Sequence, residues 1–308
     1  MPRATSGAPE RAPKGWTSLP SPSGRGQLRV LRGFASRDLA ARDLYVWRPD
    51  GVDDDAPLPV LYMQDGQNLF DARLVPFGVA WEADACLSRL IDAGRIAPIM
   101  VVGVACTHER FAEYAPALIL EQLAAPARQA ILDAWPGAPK SAAYARMLVE
   151  EIKPLIEDAF ATSPGQAGAF LAGSSMGAVA AAELLARYPE TFAGAAMLSA
   201  HFSLLPVTET EPLPAGFAED VARAVGVFAR RHMPRAGSHR LWLDRSALSI
   251  DRFYPPSHAA LVGALSALGY VEDKDLRVRV YAGVGHDEGA WRERLDEALA
   301  FLLAPFPV

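Results

Sequence analysis

The sequence predicts an α/β fold: a mostly parallel central sheet with helices on both faces and antiparallel strands along its N-terminal edge. Three observations predict it. Short apolar runs alternate with helix-length segments along most of the chain, the pattern of repeated strand–helix–strand units. The runs Pro59 to Met63 and Ile96 to Val104 are almost continuously apolar, as in strands covered on both faces. Gln27 to Phe34 instead alternates apolar and polar residues, as a half-covered edge strand does.

The elements follow in order. Residues 1–26, rich in Pro, Ser, Gly and Arg, are expected to form a flexible leader before a single domain over 27–308. Gln27 to Phe34 and Leu44 to Trp47 read as an antiparallel pair, the second closed by the turn signal Pro49-Asp50-Gly51. The strands at 59–63 and 96–104 flank a helix from Trp81 to Ile91. Ala167 to Gly173 and Ala193 to Leu198 flank another from Met176 to Arg187. Leu241 to Leu243 and Val278 to Tyr281 supply the last strands. Spacings of three and four mark helices through Met147, Ile152, Ile156 and Phe160, and through Trp291, Leu295, Ala298 and Leu302. Segments 107–143 and 201–238 fit the alternation poorly and are candidate lids or plain surface excursions.

Composition limits the possible functions. The 308 residues are 51% hydrophobic and 21% charged, too apolar for a disordered chain. A formal net charge of −6 argues against a nucleic-acid partner, which needs a basic face. There is no run of about 18 apolar residues to span a membrane, nor the apolar core of a secretory signal. The expectation is a soluble, cytoplasmic protein without a membrane or nucleic-acid partner, its oligomeric state unreadable. Cys86 and Cys106 have neither disulfide-framework nor metal-site spacing, so two reduced thiols and no metal are expected.

The chemistry concentrates at Gly173-Ser174-Ser175-Met176-Gly177. A G-x-S-x-G match arises by chance in about one chain of this composition in ten. Its place between a buried strand and an Ala-rich helix makes it far more specific. Ser175 would sit on a sharp, strained turn, with glycine at 173 and 177 because side chains there would strike the neighbouring helix and strand. The Met176 backbone N–H would then stand at a helix N-terminus, where a developing oxyanion is stabilised.

A serine hydroxyl needs a histidine to take its proton and a carboxylate to orient that histidine. Five of the six histidines lie beyond Ser175. His286, after the last strand and flanked by a glycine-bearing loop, is the leading base. His201 is a rim residue or a rival, and His232, His239 and His258 read as surface residues. The acid should follow the strand at 241–243, which leaves Asp251 on a loop and Asp244 at the strand end. Asp287 is poorly placed because adjacent side chains on a turn diverge.

Several motifs together resemble the bacterial putative-esterase family. They are Leu61-Tyr62-Met63-Gln64-Asp65-Gly66-Gln67-Asn68-Leu69-Phe70-Asp71, the elbow, Arg110-x-x-Glu113-Tyr114-x-Pro116, and Gly283-Val284-Gly285-His286 before Glu288 and Trp291. The likeness runs from about residue 27 to the C-terminus. These are α/β-hydrolase serine esterases related to enterochelin esterase, esterase D and the feruloyl and acetyl-xylan esterases. The resemblance implies a triad of Ser175, Asp251 and His286. The family's D-x-G-T at the acid loop is absent here, where Arg245-Ser246-Ala247 stands, so Asp244 stays open as the acid; Gln64 replaces a common His.

The loop after the strand at 59–63 would supply a second oxyanion N–H from Gln67, with Asp65, Asn68 and Asp71 knitting the loop. Trp81, Tyr254 and Trp291 are candidates to line the substrate pocket or to be ordinary core. The implied activity is hydrolysis of a small, sugar-linked or siderophore-linked ester through an acyl-enzyme, without metal or organic cofactor. Acyl transfer to an alcohol or sugar by the same triad, or a non-catalytic binding module, are the alternatives.

Overall fold

The computed structural model describes residues 13–75, 78–207 and 212–305. Nine strands form one sheet in the order β1-β2-β3-β5-β4-β6-β7-β8-β9. They are β1 Thr17–Leu19, β2 Gln27–Phe34, β3 Arg42–Arg48, β4 Val60–Gln64, β5 Met100–Val104, β6 Ala169–Ser174, β7 Gly194–Leu198, β8 Arg240–Ser246 and β9 Leu276–Tyr281. β1, β2 and β3 pair antiparallel, and β3 meets β5 antiparallel. From β5 across to β9 every pairing is parallel. The α/β-hydrolase arrangement expected from the sequence is therefore present.

One boundary shifts. Thr17–Leu19 lies inside the segment expected to be a flexible leader, yet it pairs with Leu28 to Val30 and extends the sheet edge. Its three residues are too few to show a period, and the register is set by the partner strand. Residues 1–12 of the leader lie outside the described residues.

The continuous apolar runs resolve into two faces once placed in the sheet. Val60 and Tyr62 of β4 point into one core with Met100, Val102, Val104 and Leu171, whereas Leu61 and Met63 point into the other with Val101, Phe170 and Ala172. Helices α1 Ala83–Asp92 and, at the C-terminus, α10 Glu288–Leu302 cover the second face. The first face carries α2 Arg110–Tyr114, α3 Ala117–Leu120, α4 Ala125–Ala134, α5 Ser141–Arg146, α6 Lys153–Ala159, α7 Met176–Arg187, α8 Phe217–His232 and α9 Pro255–Ala267. The helix expected through 147–160 runs as α5 and α6 joined by a π-turn at Met147–Ile152. Pro154 explains the wide turn: its ring has no N–H and would press on the carbonyl four residues earlier.

The two segments that broke the alternation pack together. Segment 107–143 forms α2, α3 and α4, and it buries Ile119, Leu120, Leu123 and Ile131 in the core. Trp135 stacks on Phe111 at 4.3 Å between ring centres and donates its indole N–H to the Leu204 carbonyl. Segment 201–238 contains α8, with residues 208–211 outside the described set. Among the described residues no helix is long and apolar enough to cross a membrane.

Candidate active site

Loops at the carboxyl ends of the parallel strands meet in one place, where a sheet of this kind has its crevice. The nucleophile candidate stands on the turn between β6 and α7. Ser175 has φ 53° and ψ −124°, a left-handed conformation costly for a residue with a side chain. Both flanking glycines are required by contact. A Cβ at Gly173 would lie 2.4 Å from the Gly177 carbonyl oxygen, and one at Gly177 would lie 3.0 Å from both Gln64 Cβ and Asp65 Oδ2. The elbow is thus pinched between its own helix and the end of β4. Met176 opens α7, so its N–H has no partner within the helix.

The structure brings Ser175, His286 and Asp251 into a line of hydrogen bonds. His286 Nε2 is 2.8 Å from Ser175 Oγ, and His286 Nδ1 is 2.5 Å from Asp251 Oδ1. Asp251 sits on a single 3₁₀ turn, Ser249–Phe253, that swings back after β8. Its second oxygen accepts from the Ser199 hydroxyl at 2.7 Å and the Ser246 N–H at 2.6 Å. Burial opposes charging this carboxyl, but the His286 contact and the two serine bonds outweigh it and hold its pKa below the usual value.

Asp244, the other acid left open by the sequence, is turned away from the histidine into a brace. Its carboxylate takes Arg294 at 3.0 Å, the Trp242 indole N–H at 2.7 Å and the Ser199 N–H at 3.0 Å. Complete burial pushes its pKa up to about 6 against the pull of Arg294. Arg294 also donates to the hydroxyls of Ser199 and Ser246, the two residues that hold Asp251, and the Ser246 hydroxyl donates on to the Gly285 carbonyl beside His286. Asp287 caps α10 through the Ala290 N–H.

Aromatic rings surround the imidazole. Trp291 lies 5.0 Å from His286, Tyr254 6.0 Å and His201 6.4 Å, all edge-to-face. Trp81 reaches the site only through Trp291, at 5.9 Å. Trp81, Tyr254 and Trp291 expose 5% or less of their surface, and of the three Tyr254 and Trp291 lie against the imidazole. His201 is held by the Tyr254 hydroxyl at 2.6 Å and the Leu205 carbonyl at 2.8 Å. Burial and the nearby His286 lower its pKa to about 3, so it stays neutral. It is buried rather than exposed at the rim, and its ring nitrogens bond to Tyr254 and Leu205 rather than to Ser175. His239 and His258, expected on the surface, are buried too. His239 bonds to Pro189 and Gln166, a partnership between distant segments that spacing does not disclose.

On the far side of the elbow, Asp65 leaves β4 in a left-handed conformation, φ 56°, and a 3₁₀ turn over Gly66–Asn68 follows. A Cβ at Gly66 would fall 2.4 Å from the backbone of Gly103 in β5, so the turn can pack against that strand only with glycine here. The Gln67 side chain is clasped twice by Cys106: its carbonyl accepts the Cys106 N–H at 3.0 Å, and its amide reaches Sγ at 3.1 Å. Asp65 pairs with Arg110 and Asp71 with Arg73, as expected of loop-knitting residues. Asn68 departs from that reading, since its buried Oδ1 has no hydrogen-bond partner among the described residues. Both cysteines are free, Cys86 buried and Cys106 partly so.

Comparison with known proteins gives the same picture at the level of fold. No curated protein matches the sequence. A ferulic acid esterase superposes with a TM-score of 0.61 at 17% identity, over 91% of this chain and 98% of that one. The enterobactin esterase FES from Shigella flexneri superposes with a TM-score of 0.60 at 18% identity. That match covers 96% of this chain, which spans only 60% of the FES chain. The BES protein from Bacillus cereus gives 0.57 at 16% identity, over 97% of this chain and all of the other. Residues 40–302 match the model of the family described as Putative esterase, and the chain belongs to that esterase family.

Proposed function

We propose that the protein is a serine carboxylic-ester hydrolase working through an acyl-enzyme on Ser175. One observation carries the reading: a hydroxyl on a strained elbow, an imidazole and a buried carboxylate joined by bonds of 2.8 and 2.5 Å. His286 Nε2 takes the proton as Ser175 Oγ attacks the ester carbonyl, and Asp251 stabilises the imidazolium. The N–H groups of Met176 and Gln67 hold the negative oxygen of the tetrahedral intermediate. His286 then protonates the departing alcohol. Water, deprotonated by the same imidazole, releases the acid and restores the serine. The substrate is a small, sugar-linked or siderophore-linked ester, a class supported by the fold likeness to the ferulic acid and enterobactin esterases.

The test is turnover of a series of p-nitrophenyl esters and of feruloylated or acetylated sugars, with Ser175→Ala as control. The variant is expected to fold and to lose about ten-thousand-fold or more in kcat. Undiminished turnover by Ser175→Ala would remove the serine from the reaction.

A further inference from the structure

We infer that Arg110 is a positioning residue for ester hydrolysis, one that holds the Gln67 N–H of the oxyanion site in place by clamping Asp65. The inference rests on the acyl-enzyme reading above. Its starting point is a conformational cost. Asp65 lies in the left-handed region, which aspartate enters more readily than bulkier residues and holds best when its short side chain is hydrogen-bonded. That reversal is what turns the chain from the end of β4 into the 3₁₀ turn carrying Gln67, and the Asp65 carbonyl accepts the Asn68 N–H at 2.8 Å across it. The orientation of the Gln67 N–H therefore depends on keeping Asp65 where it is.

Three residues of the Arg110-x-x-Glu113-Tyr114-x-Pro116 segment do this from one short helix. Arg110 Nε and Nη2 grip the two carboxylate oxygens of Asp65 at 2.7 Å each, a fork-to-fork geometry that fixes direction as well as distance. The Tyr114 hydroxyl accepts the Asp65 backbone N–H at 3.3 Å, and the Arg110 guanidinium lies over the Tyr114 ring at 5.1 Å. Glu113 anchors the helix itself. It takes Arg42 of β3 in a second two-pronged pair at 2.7 and 2.9 Å, and both side chains are fully buried. Positions i, i+3 and i+4 of a helix share a face, so one turn presents all three.

The clamp has two further contacts with the site. Asp65 Oδ2 faces Gly177, so the same carboxylate lies against the elbow. The Cys106–Gln67 clasp ties the next part of the turn to the loop just before Arg110. Among the described residues the hydrogen bonds of the Arg110 side chain go to Asp65 and not to Ser175, His286 or Asp251. It acts through Asp65, and losing it would leave the ground-state pocket intact while misplacing a donor needed only in the transition state.

Arg110→Gln and Asp65→Asn, singly and together, test this by steady-state kinetics on a p-nitrophenyl ester beside wild type and Ser175→Ala. Each single variant is expected to lose about 10- to 100-fold in kcat with KM within about twofold, since an ångström of misplacement costs that order. The double variant is expected to be no worse than the weaker single, because both remove the same pair. An unchanged kcat in either single variant, a loss carried mainly by KM, or multiplicative losses would overturn the inference. Should Arg110→Gln fail to fold, Asp65→Asn carries the test alone, because asparagine tolerates the left-handed region. Activity lost in these variants but kept in Ser175→Ala would instead condemn the serine reading.

Discussion

The two halves of the site are held by different means. Beyond β7, β8 and β9, the carboxylate–imidazole pair rests on a buried network in which Ser199, Ser246, Asp244 and Arg294 bond to one another and to Asp251. Beyond β4 and β5, the turn proposed to donate to the oxyanion is held by Arg110, whose side chain is 24% exposed, and by a neutral amide–thiol clasp. The difference follows from the tasks. An imidazole that cycles between charge states needs a fixed negative partner in a low-dielectric setting, where a half-satisfied network is very costly. An oxyanion donor is a fixed dipole and needs only orientation. Damage to the first half should therefore cost both stability and rate, and damage to the second should cost mainly rate.

The sharpest way to break this contrast is inside the buried half, where two aspartates sit close together with opposite assignments. Asp251→Asn keeps the shape but offers the histidine a donor where it needs an acceptor. A loss in kcat of about a thousandfold or more is expected, with a smaller change in melting temperature. Asp244→Asn instead leaves Arg294 buried and uncompensated, at a cost of about 3–5 kcal/mol. In a chain of this size that lowers the melting temperature by about 10 °C. Calorimetry and kinetics on both proteins read the two effects separately. Equal kinetic losses would mean that the acid and its brace cannot be told apart in this way.

A smaller effect is expected at the clasp. Cys106→Ala removes the sulfur contact with the Gln67 amide but keeps the backbone half of the clasp. A fewfold loss in kcat and a loss of stability of no more than about 1 kcal/mol are expected, the contribution of one weak neutral hydrogen bond. A drop in melting temperature comparable to that of Asp244→Asn would contradict the division between the halves.

How much of this was legible in the sequence depended on whether the cause was local. The elbow was readable because its constraint lies within five residues: two glycines that must lack a Cβ and a serine between strand and helix. The parallel strands were readable because double-sided burial leaves continuous apolar runs. The choice between Asp251 and Asp244 was not, because it turns on Arg294, some fifty residues further along, which claims Asp244 and leaves Asp251 for the histidine. The fates of His201 and His239 depended likewise on partners in other segments. The Arg110 segment carried a recognisable pattern, but its meaning needed the left-handed Asp65 and the buried Arg42 that only the assembled sheet supplies.

The last expected effect is one of pH rather than of rate, and concerns the neutral His201 behind the imidazole proposed as the base. Its pKa is lowered to about 3 in the fold, while the unfolded chain titrates near its ordinary 6.5. Between those values the unfolded state binds more protons than the folded one, so stability is fully present above pH 6.5 and is lost as pH falls toward 3. The slope from this group approaches about 1.4 kcal/mol per pH unit. His258, lowered to about 4 by burial and by Arg245, adds to it in the same direction. Asp244 works against both, because its raised pKa of about 6 makes the folded state bind the extra proton between about 3.8 and 6. The net effect of two histidines against one aspartate is a fall in urea midpoint from pH 6.5 to 4.5. His201→Asn, which keeps a side chain able to bond the Tyr254 hydroxyl but cannot titrate, should flatten that fall while lowering stability at neutral pH only modestly. An unchanged slope in the variant would mean that His201 protonates in the folded state without cost, and that the aromatic wall around His286 admits water.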